Sequence, residues 1–173
     1  FEKFINSPLV NHLKKVIIVP HEVNDSYLNY YCSVLEDNDF SFKKINQYQN
    51  FNQFEEEYII INKVGFLSKL YAQSTIAYVG GGFSKSGIHN IIEPAAASNP
   101  VIFGSNFLNS NKSDAEGLID VSGGFSVDSY ELFTEKINWL LDKNNYNNSS
   151  KNCKSFVIEN SGSTEKILKE LYE

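Results

Sequence analysis

The sequence contains no arginine and no methionine, only two cysteines, and no apolar run long enough to cross a membrane. Without a guanidinium group, the two-bond recognition that arginine gives to phosphate is excluded, so backbone amides and lysines would have to bind any phosphate. The 15 lysines are outnumbered by 21 acidic residues, and the formal net charge is −6. This balance argues against a general electrostatic grip on nucleic acid, because such binding needs clustered cations.

The two cysteines, Cys32 and Cys153, lie far apart and show no spacing typical of metal ligands. No secretory signal is visible either, so a reducing cytoplasm and a packing role for both thiols are predicted. Because methionine is absent even at position 1, we expect the chain to be a piece of a longer protein.

Short runs of apolar and β-branched residues alternate with longer segments of helical periodicity. Runs of the first kind predict buried strands at Val16 to Val19, Tyr58 to Ile61, Ile76 to Val79 and Val101 to Phe103, with weaker strands at Ser41 to Ile45 and Phe125 to Val127. Helices are predicted at Tyr27 to Leu35, Leu67 to Ala72, His89 to Ala97, Ala115 to Val121 and Tyr130 to Leu141, then a loop at Lys143 to Asn152 and a last helix at Thr164 to Tyr172. The alternation predicts an α/β fold with a doubly wound parallel sheet, Rossmann-like, over a single domain of residues 1–173.

The strongest functional signal is a glycine run that leaves a predicted buried strand and leads into a helix. From Gly80 to Pro94 the sequence reads GGGFSKSGIHNIIEP. Glycines allow the backbone to approach a ligand closely. The segment matches neither the dinucleotide fingerprint nor the Walker loop, which makes nicotinamide cofactors and ATP hydrolysis poor hypotheses.

Asn90 and Glu93 stand three residues apart at the predicted helix start and so share roughly one face. A carboxylate beside a phosphate site is expected to bind sugar hydroxyls, so Glu93 is the candidate ribose ligand. In the alternative interpretation, common for such residues, Asn90 caps the helix and Glu93 complements its dipole. The triple glycine together with Lys85 and His89 favours the functional interpretation.

Three further loops follow predicted strands, where ligands bind in open α/β sheets. They are residues 19–22, with His21 and Glu22; residues 64–67, with Gly65 before a helix; and residues 103–106, with small polar side chains. Each of these loops is a weak signal when taken alone.

The glycine run, the motif GIHN-x-x-EPAA and the following PVIFG together resemble the carboxyl-terminal domain of bacterial 3-deoxy-D-manno-octulosonic acid (Kdo) transferases. The segments VPHE at 19–22 and VGFLSKLY at 64–71 match at the expected places, and the resemblance covers nearly the whole chain. It implies one half of a two-domain GT-B glycosyltransferase, the half that binds CMP-Kdo. The absent amino-terminal domain would bind the lipid A precursor at the cytoplasmic face of the inner membrane of a Gram-negative bacterium.

The resemblance further implies that the general base lies in the absent domain, so no catalytic residue is expected in this chain and no metal or cofactor is required. Combined with the loop analysis, it predicts the following donor-binding residues: Pro20, His21, Val64, Gly65, Phe66, Gly82, Lys85, Asn90, Ile91, Ile92 and Glu93. Many relatives have arginine where His21 stands. The segment Asn111 to Ala115 also departs from the family pattern, so no role is assigned to Lys112.

Two other functions remain open from the sequence. A related GT-B transferase or an epimerase that uses a UDP-sugar would share the glycine run and the ribose-binding glutamate. A non-catalytic doubly wound module would use the glycine loop only as a close packing turn. Preference for CMP over UMP would distinguish a Kdo transferase from a UDP-sugar enzyme. Failure to bind any nucleotide would support the non-catalytic module.

Overall fold

A computed structural model describes residues 1–83, 87–107 and 111–162. The chain forms two compact units, Phe1–Gln73 and Ser74–Glu173. The single domain over residues 1–173 stays a prediction, and each unit is described by itself.

The first unit contains a three-stranded parallel sheet in the order β1-β3-β2. Its strands are β1 (Val16–Ile18), β2 (Phe42–Ile45) and β3 (Tyr58–Ile61), and its α-helices are α1 (Glu2–Ile5), α2 (Asp25–Glu36) and α3 (Leu67–Tyr71). Two 3₁₀ turns, Pro8–His12 and Phe51–Gln53, complete it.

All four residues of the central strand β3 are buried because both faces of the sheet are covered. Tyr58 and Ile60 pack in one cluster with apolar residues of α1 and α2. Ile59 and Ile61 point to the opposite face and pack with Phe66 and the helix α3. This arrangement explains why the strand reads as a continuous apolar run rather than as an alternating one.

The second unit has the same plan, with a parallel sheet in the order β4-β5-β6. Its strands are β4 (Ala77–Val79), β5 (Val101–Gly104) and β6 (Gly124–Val127), and its helices are α4 (Ile92–Ala96), α5 (Lys112–Asp120), α6 (Tyr130–Leu141) and α7 (Lys143–Asn160). Val101 and Phe103 pack against α4, α5 and α7. On the other face, Phe125 contacts Trp139 of α6, with ring centroids 5.5 Å apart. The predicted α/β fold with parallel sheets wound on both faces is confirmed.

The Asn-rich segment Lys143 to Asn152 was predicted to be a loop, and that prediction is wrong because it forms the first half of α7. Asparagine has a weak helix propensity, but tertiary contacts override it here. Ser149 and Cys153 of α7 are buried against the rest of the unit. The predicted helix at Thr164 to Tyr172 lies outside the described residues.

Cys32 and Cys153 are both free and buried, which agrees with the packing role predicted for them. The Cys153 thiol donates to the carbonyl oxygens of Gly123 at 3.1 Å and Asn99 at 3.3 Å. Its burial raises the pKa of this thiol to about 12. Among the described residues, no helix is both long and apolar enough to cross a membrane.

Candidate functional site

The glycine run after β4 forms a short antiparallel pairing with the residues that precede Asn90. Gly81 bridges to Ile88, and the Gly82 amide donates to the Gly87 carbonyl oxygen at 2.6 Å. The His89 amide donates to the Gly80 carbonyl oxygen at 3.2 Å. The run is therefore fixed by its own backbone hydrogen bonds at the carboxyl end of β4, which is the edge where ligands bind in parallel sheets.

The protein's own packing requires glycine at two positions of this run. Gly81 and Gly82 have φ angles of +90° and +77°, which other residues rarely adopt. A Cβ atom on Gly82 would lie 2.7 Å from the backbone of Gly104, and the Asn106 amide donates to the Gly82 carbonyl oxygen at 2.8 Å. The glycine loop and the loop after β5 therefore meet, which the sequence alone had not indicated.

Asn90 caps the helix that carries Glu93. Its Oδ1 accepts hydrogen bonds from the amides of Ile92 at 2.9 Å and Glu93 at 3.3 Å. The helix begins at Ile92, so the predicted start at His89 is wrong. The Asn90 side chain binds the first amides of the helix, and the residues before it belong to the preceding turn. The amides of Ile92 and Glu93 are thus both bound by Asn90 in this structure.

The predicted donor residues around Glu93 differ in what they expose. Ile91 is completely buried, so only its backbone could face a ligand, whereas Ile92 packs against the same core cluster but stays partly exposed. Glu93 is half-buried in the first turn of α4, and Asn90 is exposed. Lys85 lies outside the described residues.

The remaining predicted donor residues lie in the first unit, on the loops after β1 and β3. Pro20 is buried and His21 is exposed. Val64 is 73% exposed, while Phe66 is buried in the core beside α3. Gly65 has a φ angle of +103° with open space where a Cβ would be, so backbone conformation rather than crowding favours glycine there.

Asn111 is a residue of this region that the sequence analysis did not select. Its Nδ2 atom donates to the carbonyl oxygens of His89 at 3.2 Å and Ile88 at 3.4 Å. A contact between residues more than twenty positions apart leaves no local sequence signal, which is why it was missed. No group of three or more His, Cys, Asp or Glu side chains in the described ranges is placed to hold a metal ion.

The fold is shared with a solved structure. The chain matches the crystal structure of the C-terminal CMP-Kdo binding domain of WaaA from Acinetobacter baumannii with a TM-score of 0.64 and 14% sequence identity. The match covers 86% of this chain and 91% of that one. The fold is that of the carboxyl-terminal half of a GT-B glycosyltransferase.

In sequence, the chain is a relative of the 3-deoxy-D-manno-octulosonic acid transferases. It is 29% identical over 163 residues to the enzyme of that name from Chlamydia trachomatis, which is 92% of this chain, and 30% identical over 139 residues to that from Chlamydophila psittaci, which is 78% of this chain. A bifunctional glycosyltransferase/methyltransferase of Fusobacterium nucleatum is 31% identical over 84% of this chain. The chain spans between 22% and 37% of the length of these three relatives, and no protein-family model matches it.

Proposed function

We propose that this chain is the donor-binding half of a glycosyltransferase and that its ligand is CMP-Kdo. The observation that carries the proposal is the combination of two likenesses: sequence similarity to Kdo transferases over up to 92% of the chain, and the fold of a CMP-Kdo binding domain. The glycine-bearing edge after β4 is where a parallel α/β sheet offers its ligand site.

Within this proposal, Glu93 binds the ribose of CMP. A carboxylate accepts hydrogen bonds with both oxygens, which matches two neighbouring hydroxyl groups. Its position supports this role, because the Asn90 cap fixes the first turn of α4 and Glu93 stays partly exposed there. The exposed residues His21 and Val64 of the first unit remain predicted donor contacts, as does Lys85.

The proposed reaction transfers Kdo to a hydroxyl group of a lipid A precursor. The acceptor oxygen bonds to the anomeric carbon as the bond from that carbon to the phosphate oxygen of CMP breaks, and CMP leaves with the electron pair. Negative charge then grows on the phosphate, which hydrogen-bond donors and cations stabilise. The acceptor's proton goes to a general base.

We assign that base, the acceptor site and the contact with the inner membrane to the amino-terminal domain of the full-length enzyme. Because no residue of this chain corresponds to the base expected from the family, the 173 residues should bind the nucleotide without turning over the donor.

Glu93→Ala tests the site. We expect the substitution to weaken CMP binding by roughly 1.5–3 kcal/mol, because a charge-assisted hydrogen bond to the ribose is lost. Isothermal titration calorimetry with CMP measures the effect, and a thermal melt shows whether the variant still folds.

Glu116→Ala is the matched control. Glu116 is an exposed glutamate of the same unit, paired with Lys112 at 3.8 Å on α5, so its removal changes the net charge equally. CMP affinity should stay within about twofold in this variant, since exposed ion pairs contribute little. Equal weakening in both variants would mean a general charge effect and would remove Glu93 from the site.

A further inference from the structure

Asn111 stands immediately before α5, where asparagine normally caps a helix, but its side chain makes no capping hydrogen bond. Its backbone is left-handed, with φ at 56° and ψ at 28°, instead of the extended conformation usual for a capping residue. Asparagine is one of the few residues that tolerate this conformation. Capping of α5 therefore does not explain why an asparagine side chain stands at position 111.

The side chain instead reaches the segment that precedes Asn90. Its Nδ2 atom donates to the carbonyl oxygen of His89 at 3.2 Å, and to that of Ile88 at 3.4 Å. The same segment is held from its other side, because the His89 amide donates to the Gly80 carbonyl oxygen at 3.2 Å. Residues 88 and 89 are thus bound on both edges directly before Asn90 caps α4.

We propose that Asn111 is a positioning residue for the donor site, acting through the loop that ends in Asn90 and Glu93. The proposal rests on the function proposed above and deepens it. Two properties are needed at position 111: a left-handed backbone and an amide donor. Asparagine has both, whereas aspartate and glycine keep only the first. Without the donor, the carbonyl oxygens of residues 88 and 89 lose their hydrogen bonds from Asn111, and the Glu93 carboxylate is placed less firmly.

The first test compares CMP affinity in Asn111→Gly and Asn111→Asp. Asn111→Gly should weaken binding roughly three- to tenfold, the effect of losing one hydrogen bond. Asn111→Asp should weaken it at least as much, because a carboxylate oxygen would then face two carbonyl oxygens.

Ser122→Gly is the control. Ser122 also has a left-handed backbone, with φ at 57°, but it lies beyond the opposite end of α5. Its replacement should leave CMP affinity within about twofold, because it changes the backbone preference without touching the loop. If Asn111→Gly behaves like Ser122→Gly, the proposal is wrong.

A double-mutant cycle separates positioning from general stability. If Asn111 acts through Glu93, the effect of Asn111→Gly should shrink to less than about twofold in a Glu93→Ala background, since coupled sites are not additive. An effect of unchanged size there would assign Asn111 a structural role only.

Hydrogen exchange provides a measurement that does not need the nucleotide. The His89 amide, bonded to Gly80, should exchange faster in Asn111→Gly than in Ser122→Gly. If the unmodified chain binds no CMP, the proposed function fails, but this comparison still decides whether Asn111 holds the loop. Equal exchange rates in the two variants would overturn the positioning role itself.

Discussion

At Gly82, backbone conformation and packing both exclude a side chain. The φ angle is +77°, and a Cβ atom would lie 2.6 Å from the Ile88 side chain and 2.7 Å from the backbone of Gly104. Gly162 has a similar φ angle of +87°, but a Cβ there would meet nothing within 4 Å. A side chain would thus be strained at both glycines, but of these two only Gly82 would also be crowded by neighbouring atoms.

Gly82→Ala should lower the free energy of unfolding by about 2 kcal/mol more than Gly162→Ala does. Both variants carry the cost of a left-handed alanine, about 1 kcal/mol or slightly more, and only Gly82→Ala adds the overpacking cost of roughly 1–3 kcal/mol. Urea unfolding of the two variants gives the comparison. Equal losses would show that the contact between Gly82 and Gly104 is loose enough to accept a methyl group.

Cys153 makes stability depend on pH in the alkaline range. Burial raises the pKa of its thiol from an ordinary 9.0 to about 12. Above pH 9 the unfolded chain therefore loses this proton while the folded chain keeps it. The contribution is fully present below pH 9 and is lost as pH rises toward 12.

Cys153→Ala should remove this part of the alkaline destabilisation. Between about pH 8.5 and 10.5, the unmodified chain should lose about 2 kcal/mol more stability than the variant, at roughly 1.4 kcal/mol per pH unit above the unfolded pKa. Tyr58, whose pKa burial also raises to about 12, stays in both proteins and cancels in the comparison. Urea unfolding at the two pH values measures the difference, and parallel pH profiles would contradict the buried, protonated thiol.

At the scale of elements, α7 shows how tertiary contacts can form a helix from unfavourable residues. Asp142 caps it by accepting from the amides of Asn144 at 2.9 Å and Asn145 at 3.0 Å. Asn152 donates to the Val121 carbonyl oxygen next to α5. Asparagines that lower helix propensity locally thus attach the helix to its neighbours.

Asp142→Ala should destabilise the protein by about 1 kcal/mol, the usual cost of a lost helix cap. Asp142→Asn is the matched variant, because asparagine caps helices about as well as aspartate. We expect it to stay within a few tenths of a kcal/mol of the unmodified chain in urea unfolding. If both substitutions cost the same, the charge of Asp142 matters and the cap does not.

Local patterns were enough for most strands and helices of the two units. The runs at Tyr58 to Ile61 and Val101 to Phe103 are apolar throughout because helices cover both faces of each sheet, and this pattern is visible in the sequence. The start of α4 was placed too early because the Asn90 side chain caps the helix, which therefore begins after it. The spacing of apolar residues does not show where such a cap lies. α7 was missed because its asparagines lower helix propensity and because, beyond the Asp142 cap, its support comes from distant residues.

At the scale of the whole molecule, the sequence motif identified the region of the candidate site but not how it is assembled. GIHN-x-x-EPAA and the glycine run indicated the edge after β4, and the sequence relatives agree with the family that these residues suggested. The packing of Gly82 on Gly104 and the bond from Asn111 to His89 could not be predicted, because each joins residues about twenty positions apart. Gly81 and Gly82 are required by close packing within the protein itself. The alternative of a non-catalytic module, in which the glycine loop is a close packing turn, also predicts this.

The most direct test of the proposed function is a calorimetric titration of the 173-residue chain with CMP, UMP and AMP under identical conditions. We predict saturable binding of CMP that is at least about tenfold tighter than that of the other two, a preference of roughly 1.4 kcal/mol. Tighter binding of UMP would favour a UDP-sugar enzyme. Equal binding of all three nucleotides, or binding of none, would contradict a donor site for CMP-Kdo in this chain.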